Sequence, residues 1–269
     1  MRNFNILLFL VLFICKNNIA QNSFKISSEH EVYQCSYVIV DYPVLKFNVI
    51  YNVPVVPIYN GVFAVCANEW LKKMDGDIIQ AICPSVVDSS IYFLRASGEY
   101  VNIIREFPSY QRKEDKTVFK LPKGYYDLQS IGNDSLILWG VSDKNTWEIF
   151  SVRNDKIYKI LTGQKPIIKV EPLKDNTIIY ATEKEIITLI PGGNPIKLIE
   201  SSTNIEGMTV SINGDMYFST DNKIIKLKQD GSVSTIATGI SGPLKYYDNT
   251  LFVLYDKASQ VVIIKMNNK

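Results

Sequence analysis

Short apolar strand cores recur behind small polar turn residues along most of this 269-residue chain. The copies are Ser89-Ser90-Ile91-Tyr92-Phe93, Asp134-Ser135-Leu136-Ile137-Leu138, Asn176-Thr177-Ile178-Ile179-Tyr180, Gly214-Asp215-Met216-Tyr217-Phe218 and Asn249-Thr250-Leu251-Phe252-Val253. The anchors Ile91, Leu136, Ile178, Met216 and Leu251 lie 45, 42, 38 and 35 residues apart. A four-stranded propeller blade takes about 40 residues, so the rhythm predicts an all-β chain of repeated blades. Such a fold fixes where a site lies and leaves the ligand open.

The clearest unit spans 205–239. Glu206 to Ser211 reads as the inner strand, Asp215 to Thr220 as the second, Lys223 to Lys228 as the third and Val233 to Thr238 as the outer strand. Asn213-Gly214, Asp221-Asn222 and Gln229-Asp230-Gly231 supply the turns, and Asn213-Gly214 favours a tight hairpin with positive φ at both central positions. The same reading places units at 45–75, 78–121, 124–162, 165–201, 205–239 and 240–269. The expectation is a β-propeller of six blades, each of four antiparallel strands; the loosely patterned first unit leaves five or seven open. The last unit holds only three strands, and Glu31 to Val40 is the natural donor of a closing fourth, which would hide both sheet edges. Asn68 to Met74 reads as helical, because Trp70, Lys73 and Met74 fall at helical spacing; a long two-strand turn is the alternative.

Met1-Arg2-Asn3 and the apolar run Ile6 to Cys15 form the pattern of a signal peptide, with cleavage after Ala20. The run is too short to span a membrane. Ile14 is too bulky for lipid attachment at Cys15. The domain reading is a signal peptide over 1–20 and a single propeller over 21–269, exported to the periplasm or beyond the cell, with no transmembrane segment in the mature chain. Processing removes Arg2 and Lys16 and no acid, leaving 27 basic against 27 acidic side chains. A neutral surface gives no electrostatic case for nucleic acid, and the expected state is a monomer. Export permits a disulfide among Cys35, Cys66 and Cys83; Cys66–Cys83 is the candidate. No Cys-x-x-Cys is present and His30 is the only histidine, so no metal site or cofactor is read from these residues.

No catalytic set emerges. A lone histidine near the mature N-terminus cannot readily complete a serine–histidine–aspartate arrangement. Pro191-Gly192-Gly193-Asn194-Pro195 is a hairpin turn, since strands flank it. Glu206 is the one acid opening an inner strand in clear register. It reads either as a ligand group in the channel mouth or as a partner of backbone amides and water. Asp127, Lys169 and Lys245 also fall on inner strands, where they form a polar pocket or an inert set of ion pairs. Trp139 and Trp147 bracket the turn from Gly140 to Thr146. An exposed tryptophan there would anchor a protein or glycan; the alternative is packing against the next blade.

Ile205-Glu206-Gly207-Met208, Asn213-Gly214-Asp215-Met216-Tyr217-Phe218-Ser219-Thr220-Asp221, Lys223-Ile224-Ile225-Lys226-Leu227 and Asp230-Gly231 resemble a blade of the six-bladed NHL-repeat or gluconolactonase-type propellers. Gly239-Ile240-Ser241-Gly242-Pro243 is similar to their inter-blade link. The resemblance implies a calcium or zinc ion at Glu206, held with asparagine and aspartate from other blades. This chain departs from that pattern: Glu206 lies in a late unit, and the aligned inner-strand starts are Tyr126, Ile168 and Ser241, a poor oxygen cage. The expected function is therefore an exported, non-enzymatic binding protein that recognises a secreted or envelope protein, or a glycan, through its loop face. The alternatives are a calcium- or zinc-dependent lactonase-like hydrolase with its site in the central funnel, a lyase of the NHL-like kind, and a periplasmic immunity-type inhibitor of a toxin.

Overall fold

The computed structural model describes residues 25–27, 30–36, 48–50, 53–58, 61–64, 69–73, 78–107, 114–132, 135–154, 156–173, 176–255 and 260–266. The expected signal peptide lies outside them. Every described element is a strand. The first two are β1 (Lys25–Ile26) and β2 (Glu31–Ser36). Then come β3 to β6 (Asn48–Ile50, Val53–Ile58, Gly61–Ala64, Glu69–Lys73), β7 to β10 (Ile78–Pro84, Ile91–Ser97, Tyr100–Glu106, Lys116–Pro122) and β11 to β14 (Gly124–Gly132, Ser135–Ser142, Trp147–Arg153, Lys156–Gly163). They are followed by β15 to β18 (Ile167–Pro172, Ile178–Thr182, Glu185–Leu189, Ile196–Glu200), β19 to β22 (Ile205–Val210, Met216–Thr220, Lys223–Leu227, Val233–Thr238) and β23 to β25 (Leu244–Tyr247, Thr250–Tyr255, Gln260–Lys265).

Consecutive strands pair antiparallel, as hairpin connections dictate. Five of the resulting sheets have four strands and one has five. The extra strand is β1, which adds to the outer edge of β22 with Lys25 opposite Thr238. In the last sheet the order is β2-β25-β24-β23, so the fourth place goes to a strand from the other end of the chain. Its register runs from Glu31 opposite Lys265 to Ser36 opposite Gln260. The expected donor reached Val40; residues 37–40 lie outside the described residues. The first strand of each sheet, β3, β7, β11, β15, β19 or β23, neighbours the first strand of the next sheet, and β23 neighbours β3. The architecture is a β-propeller of antiparallel blades.

Burial explains the sequence rhythm. Second strands are packed on both faces between adjacent blades, and β16 and β20 are buried at every position. A strand covered on both faces reads as a continuous apolar run rather than an alternation. The anchors Leu136, Ile178, Met216 and Leu251 all sit there. Outer strands face solvent, so β14 and β18 are exposed along most of their length. The interleaved cores contain Tyr126, Leu128 and Leu138 between one pair of blades and Trp139, Ile149 and Tyr180 between the next.

Two local expectations are corrected. Glu69–Lys73 is a strand, not a helix. It pairs with β5, and Leu71 is an extra residue opposite the Val62/Phe63 step. That bulge interrupts the two-residue alternation, which leaves Trp70 and Lys73 at a spacing that imitates a helix. At Asn213-Gly214 only Gly214 has positive φ (82°), with its N–H donating to Ser211 O at 2.9 Å. The doubly positive turns are Asp221-Asn222 (48° and 55°) and Asp248-Asn249 (44° and 55°), where short polar side chains tolerate the left-handed region.

Candidate functional site

The inner strands are tied by side chains reaching from one blade to the next. Asn48 Nδ2 donates to Ile82 O at 2.9 Å. Gln80 Nε2 donates to Gly124 O at 2.8 Å, while Tyr126 N–H donates back to Gln80 Oε1 at 3.0 Å. Tyr246 N–H donates to Thr209 Oγ1 at 3.0 Å. These bonds satisfy strand groups that no neighbouring strand reaches on the channel side.

Between them lies a charged cluster. Glu171 on β15 is 4 % exposed. Its Oε2 accepts from Gln129 Nε2 at 2.9 Å, and Gln129 Oε1 accepts from Lys245 Nζ at 3.1 Å. Lys245 and Lys169 approach Glu171 Oε1 at 3.9 and 4.0 Å. That oxygen accepts no direct hydrogen bond among the described residues. Burial pushes the Lys245 ammonium below its ordinary range, and the Glu171 carboxylate opposes that shift. Lys169 and Lys245 thus share Glu171 as counterion, a residue outside the set of Asp127, Lys169 and Lys245 read from the sequence.

A cavity of about 260 Å³ opens above this cluster. Its lining comes from the inner strands β11, β15, β19 and β23 together with β12 and β13, and contains five of the six residues singled out in the sequence: Asp127, Trp139, Trp147, Lys169 and Glu206. The sixth, Lys245, follows the lining residue Leu244 and is joined to the cavity through Glu171 and Lys169. Register explains the convergence. Tyr125 pairs with Val141, and Val141 with Trp147; Asp127 pairs with Trp139, and Trp139 with Ile149. The two rows lie two residues apart on one sheet face, because side chains alternate along a strand. That face is turned to β15, and Glu206, Gly207 and Met208 of β19 close the far side.

Gly207 allows the close approach. A Cβ there would run into Gly242 O and lie 2.7 Å from Leu244 N. The glycine after Glu206 is therefore required by the adjoining blade link. Gly242 has φ of 141° and carries the matching constraint.

The tryptophans separate into two roles. Trp139 is 2 % exposed, so the expectation of an exposed anchor there is corrected. It packs with Ile149 and Tyr180 against the next blade, and Lys169 Nζ lies 5.0 Å from its ring centre. Trp147 is half-buried at the cavity wall, beside exposed Tyr125. Asp127 Oδ1 accepts from Leu128 N–H at 2.8 Å. Glu206 is exposed and has no hydrogen-bond or ion-pair partner among the described residues, including none to a backbone amide.

The expected Cys66–Cys83 bridge is corrected: Cys83 is a free, buried thiol. It sits on inner strand β7 within the core that holds Tyr92, Leu94 and Tyr126, and burial pushes it up to about 12. Cys66 lies outside the described residues. The sequence reading missed Gln129, Glu171 and Tyr125. The signal was available, since Gln129 and Tyr125 flank Asp127 at two-residue spacing and Glu171 stands two beyond Lys169.

The divalent cation implied by the family resemblance does not suit this donor set. Of the aligned inner-strand positions, Tyr126 is buried in the blade core and Ile168 is a hydrocarbon. Glu206 is the only carboxylate at those aligned starts, far short of the oxygen set that a hard cation takes. Among the described residues no group of three or more His, Cys, Asp or Glu is placed to hold a metal.

Fold and site together define a β-propeller with a cavity at the mouth of its central channel. No family model matches the sequence, and no curated protein matches it. Solved structures share the architecture. A putative gluconolactonase covers 90% of this chain and 94% of its own, at 11% identity and a TM-score of 0.59. An auxiliary nutrient binding protein from Bacteroides thetaiotaomicron VPI-5482 covers 87% and 76%, at 9% identity and 0.58. The BBS1N propeller, solved in complex with ARL6DN, covers 86% and 80%, at 12% identity and 0.58. Identities this low establish the fold alone.

Proposed function

We propose that the protein is an exported six-bladed propeller, closed by β2, that binds a secreted or envelope protein or a glycan at the mouth of its channel without transforming it. The observation that carries this reading is the convergence of Trp147, Tyr125, Asp127 and Glu206 on one cavity. An aromatic wall with a few placed charges is the make-up of a recognition site. The lysines of the neighbouring cluster are held by Glu171, which favours a fixed polar floor over an acid–base pair. Export follows from the signal-peptide pattern at the N-terminus. A nutrient-binding and a partner-binding propeller are among the proteins that share the fold.

The test is affinity capture from the host's own envelope and secreted fractions, with calcium and separately with chelator. The expected result is one stoichiometric partner, retained in chelator and lost with Trp147→Ala. Retention that depends on calcium, or turnover of a lactone that disappears with Glu206→Gln, would replace this reading with the hydrolase one.

A further inference from the structure

We infer that the channel-mouth cavity receives an organic cation, the side chain of a lysine or arginine presented by a protein partner; the inference rests on the binding reading above and names the chemistry of its ligand. Five ionisable side chains line or underlie the cavity: Asp127, Lys169, Glu171, Glu206 and Lys245. Three are acids and two are bases, so one negative charge is left over. Its location is specific. Lys169 and Lys245 both converge on Glu171 Oε1, and Lys169 is further held over the Trp139 ring. The acids left without an ammonium within ion-pair distance are Asp127 and Glu206, both on the cavity wall. A single positive charge from outside, set between these two acids, balances the five groups taken together.

The rest of the wall selects the body that carries this charge. Besides the charged groups it is built from Trp147, Tyr125, Met208, Ile168 and Leu244. Half-buried Trp147 and exposed Tyr125 offer ring surface beside the acids, where a cation gains from the ring quadrupole. Aliphatic and aromatic walls suit a methylene stem that ends in a charge. A sugar ring would need partners for several hydroxyls, and the polar side chains here are few. The volume of about 260 Å³ falls below the range of a drug-sized site and fits one side chain.

The experiment titrates the protein, as the cell processes it, with four probes at low ionic strength, followed by calorimetry and tryptophan fluorescence. The probes are Nα-acetyl-lysine amide, Nα-acetyl-arginine amide, the uncharged Nα-acetyl-norleucine amide, and the uncharged sugar N-acetylglucosamine. One or both cationic amides are expected to bind saturably, at least tenfold more tightly than norleucine amide. Raising the salt weakens that binding. Glu206→Gln weakens it at least tenfold with an unchanged circular dichroism spectrum, and Trp147→Ala removes the fluorescence response. Equal binding of norleucine amide would overturn the inference, as would no binding of either cationic amide. Preference for N-acetylglucosamine would overturn it in favour of a glycan. A partner captured from host fractions and lost with Trp147→Ala, while the cationic amides fail to bind, would leave the binding function standing and remove only the ligand chemistry.

Discussion

Glu171 is the residue on which the channel's charges depend. It holds Lys169 and Lys245 at 4.0 and 3.9 Å while it is itself almost wholly enclosed. Removing one member of a buried set leaves the others uncompensated, which costs far more than the set contributes. Glu171→Ala is expected to lower stability by about 3–5 kcal/mol, read from the denaturant midpoint. Pairing it with Lys245→Met should recover part of the loss, because the stranded charge goes too. An unchanged midpoint in the single variant would mean that the lysines find water instead. At this scale the sequence placed charges on the inner strands and did not show their partners. Asp127, Lys169 and Lys245 were legible because inner strands are the only places in a propeller where charge faces the axis. Glu171 and Gln129 were not singled out, since each is one pleat further along the strand and their contacts cross from blade to blade.

At the scale of elements, turns and close approaches set the register. The loop from β7 to β8 is closed by Asp88, whose Oδ1 accepts from Ser90 N–H at 2.9 Å and Ser90 Oγ at 2.6 Å. Its Oδ2 pairs with Arg105 Nη2 at 2.8 Å. Burial works against the charged carboxylate, but the Ser90 hydrogen bonds and the Arg105 guanidinium outweigh it and hold Asp88 down from an ordinary 3.8 to about 2. A depressed carboxyl stabilises the fold above its unfolded value, and that contribution is lost as pH falls from 3.8 to about 2. Asp88→Asn should therefore cost on the order of 1–2 kcal/mol at neutral pH and little near pH 2, as measured by unfolding curves across that window. A constant cost at every pH would remove the charge from the explanation. Gly207→Ala should cost several times an ordinary surface change, roughly 2 kcal/mol or more, because the added methyl meets the backbone of Gly242 and Leu244. Strand positions were readable wherever a second strand is buried on both faces. They were misread at Glu69–Lys73, where Leu71 breaks the alternation. The two-residue strand β1 carries too short a pattern to show any period.

For the whole molecule, the pairing of β2 with β25 joins the two ends of the described chain into one sheet. Without β2, the edge of β25 would stand open beside the buried Val261, Val262 and Ile264, a template for pairing with another chain. Deleting 31–36 is expected to abolish the single cooperative unfolding transition and to yield aggregates on size-exclusion chromatography. A deletion variant that stays monomeric and keeps its melting temperature would show that the ring closes without this strand. In the sequence the last unit reads as three strands and the stretch from Glu31 as β-rich; the two meet in the β2–β25 pairing.

The blade-to-blade hydrogen bonds from Asn48, Gln80 and Thr209 carry a consequence for the history of such a chain. Each joins a residue of one repeat to the backbone of the next, so a repeat is not a self-sufficient module. Duplicating or excising one would have to recreate a seam on both of its sides at once. Point changes on the loops are free of that requirement. The ring is therefore conservative in its number of repeats and permissive at its mouth, an arrangement under which what the protein recognises can drift faster than what the protein is.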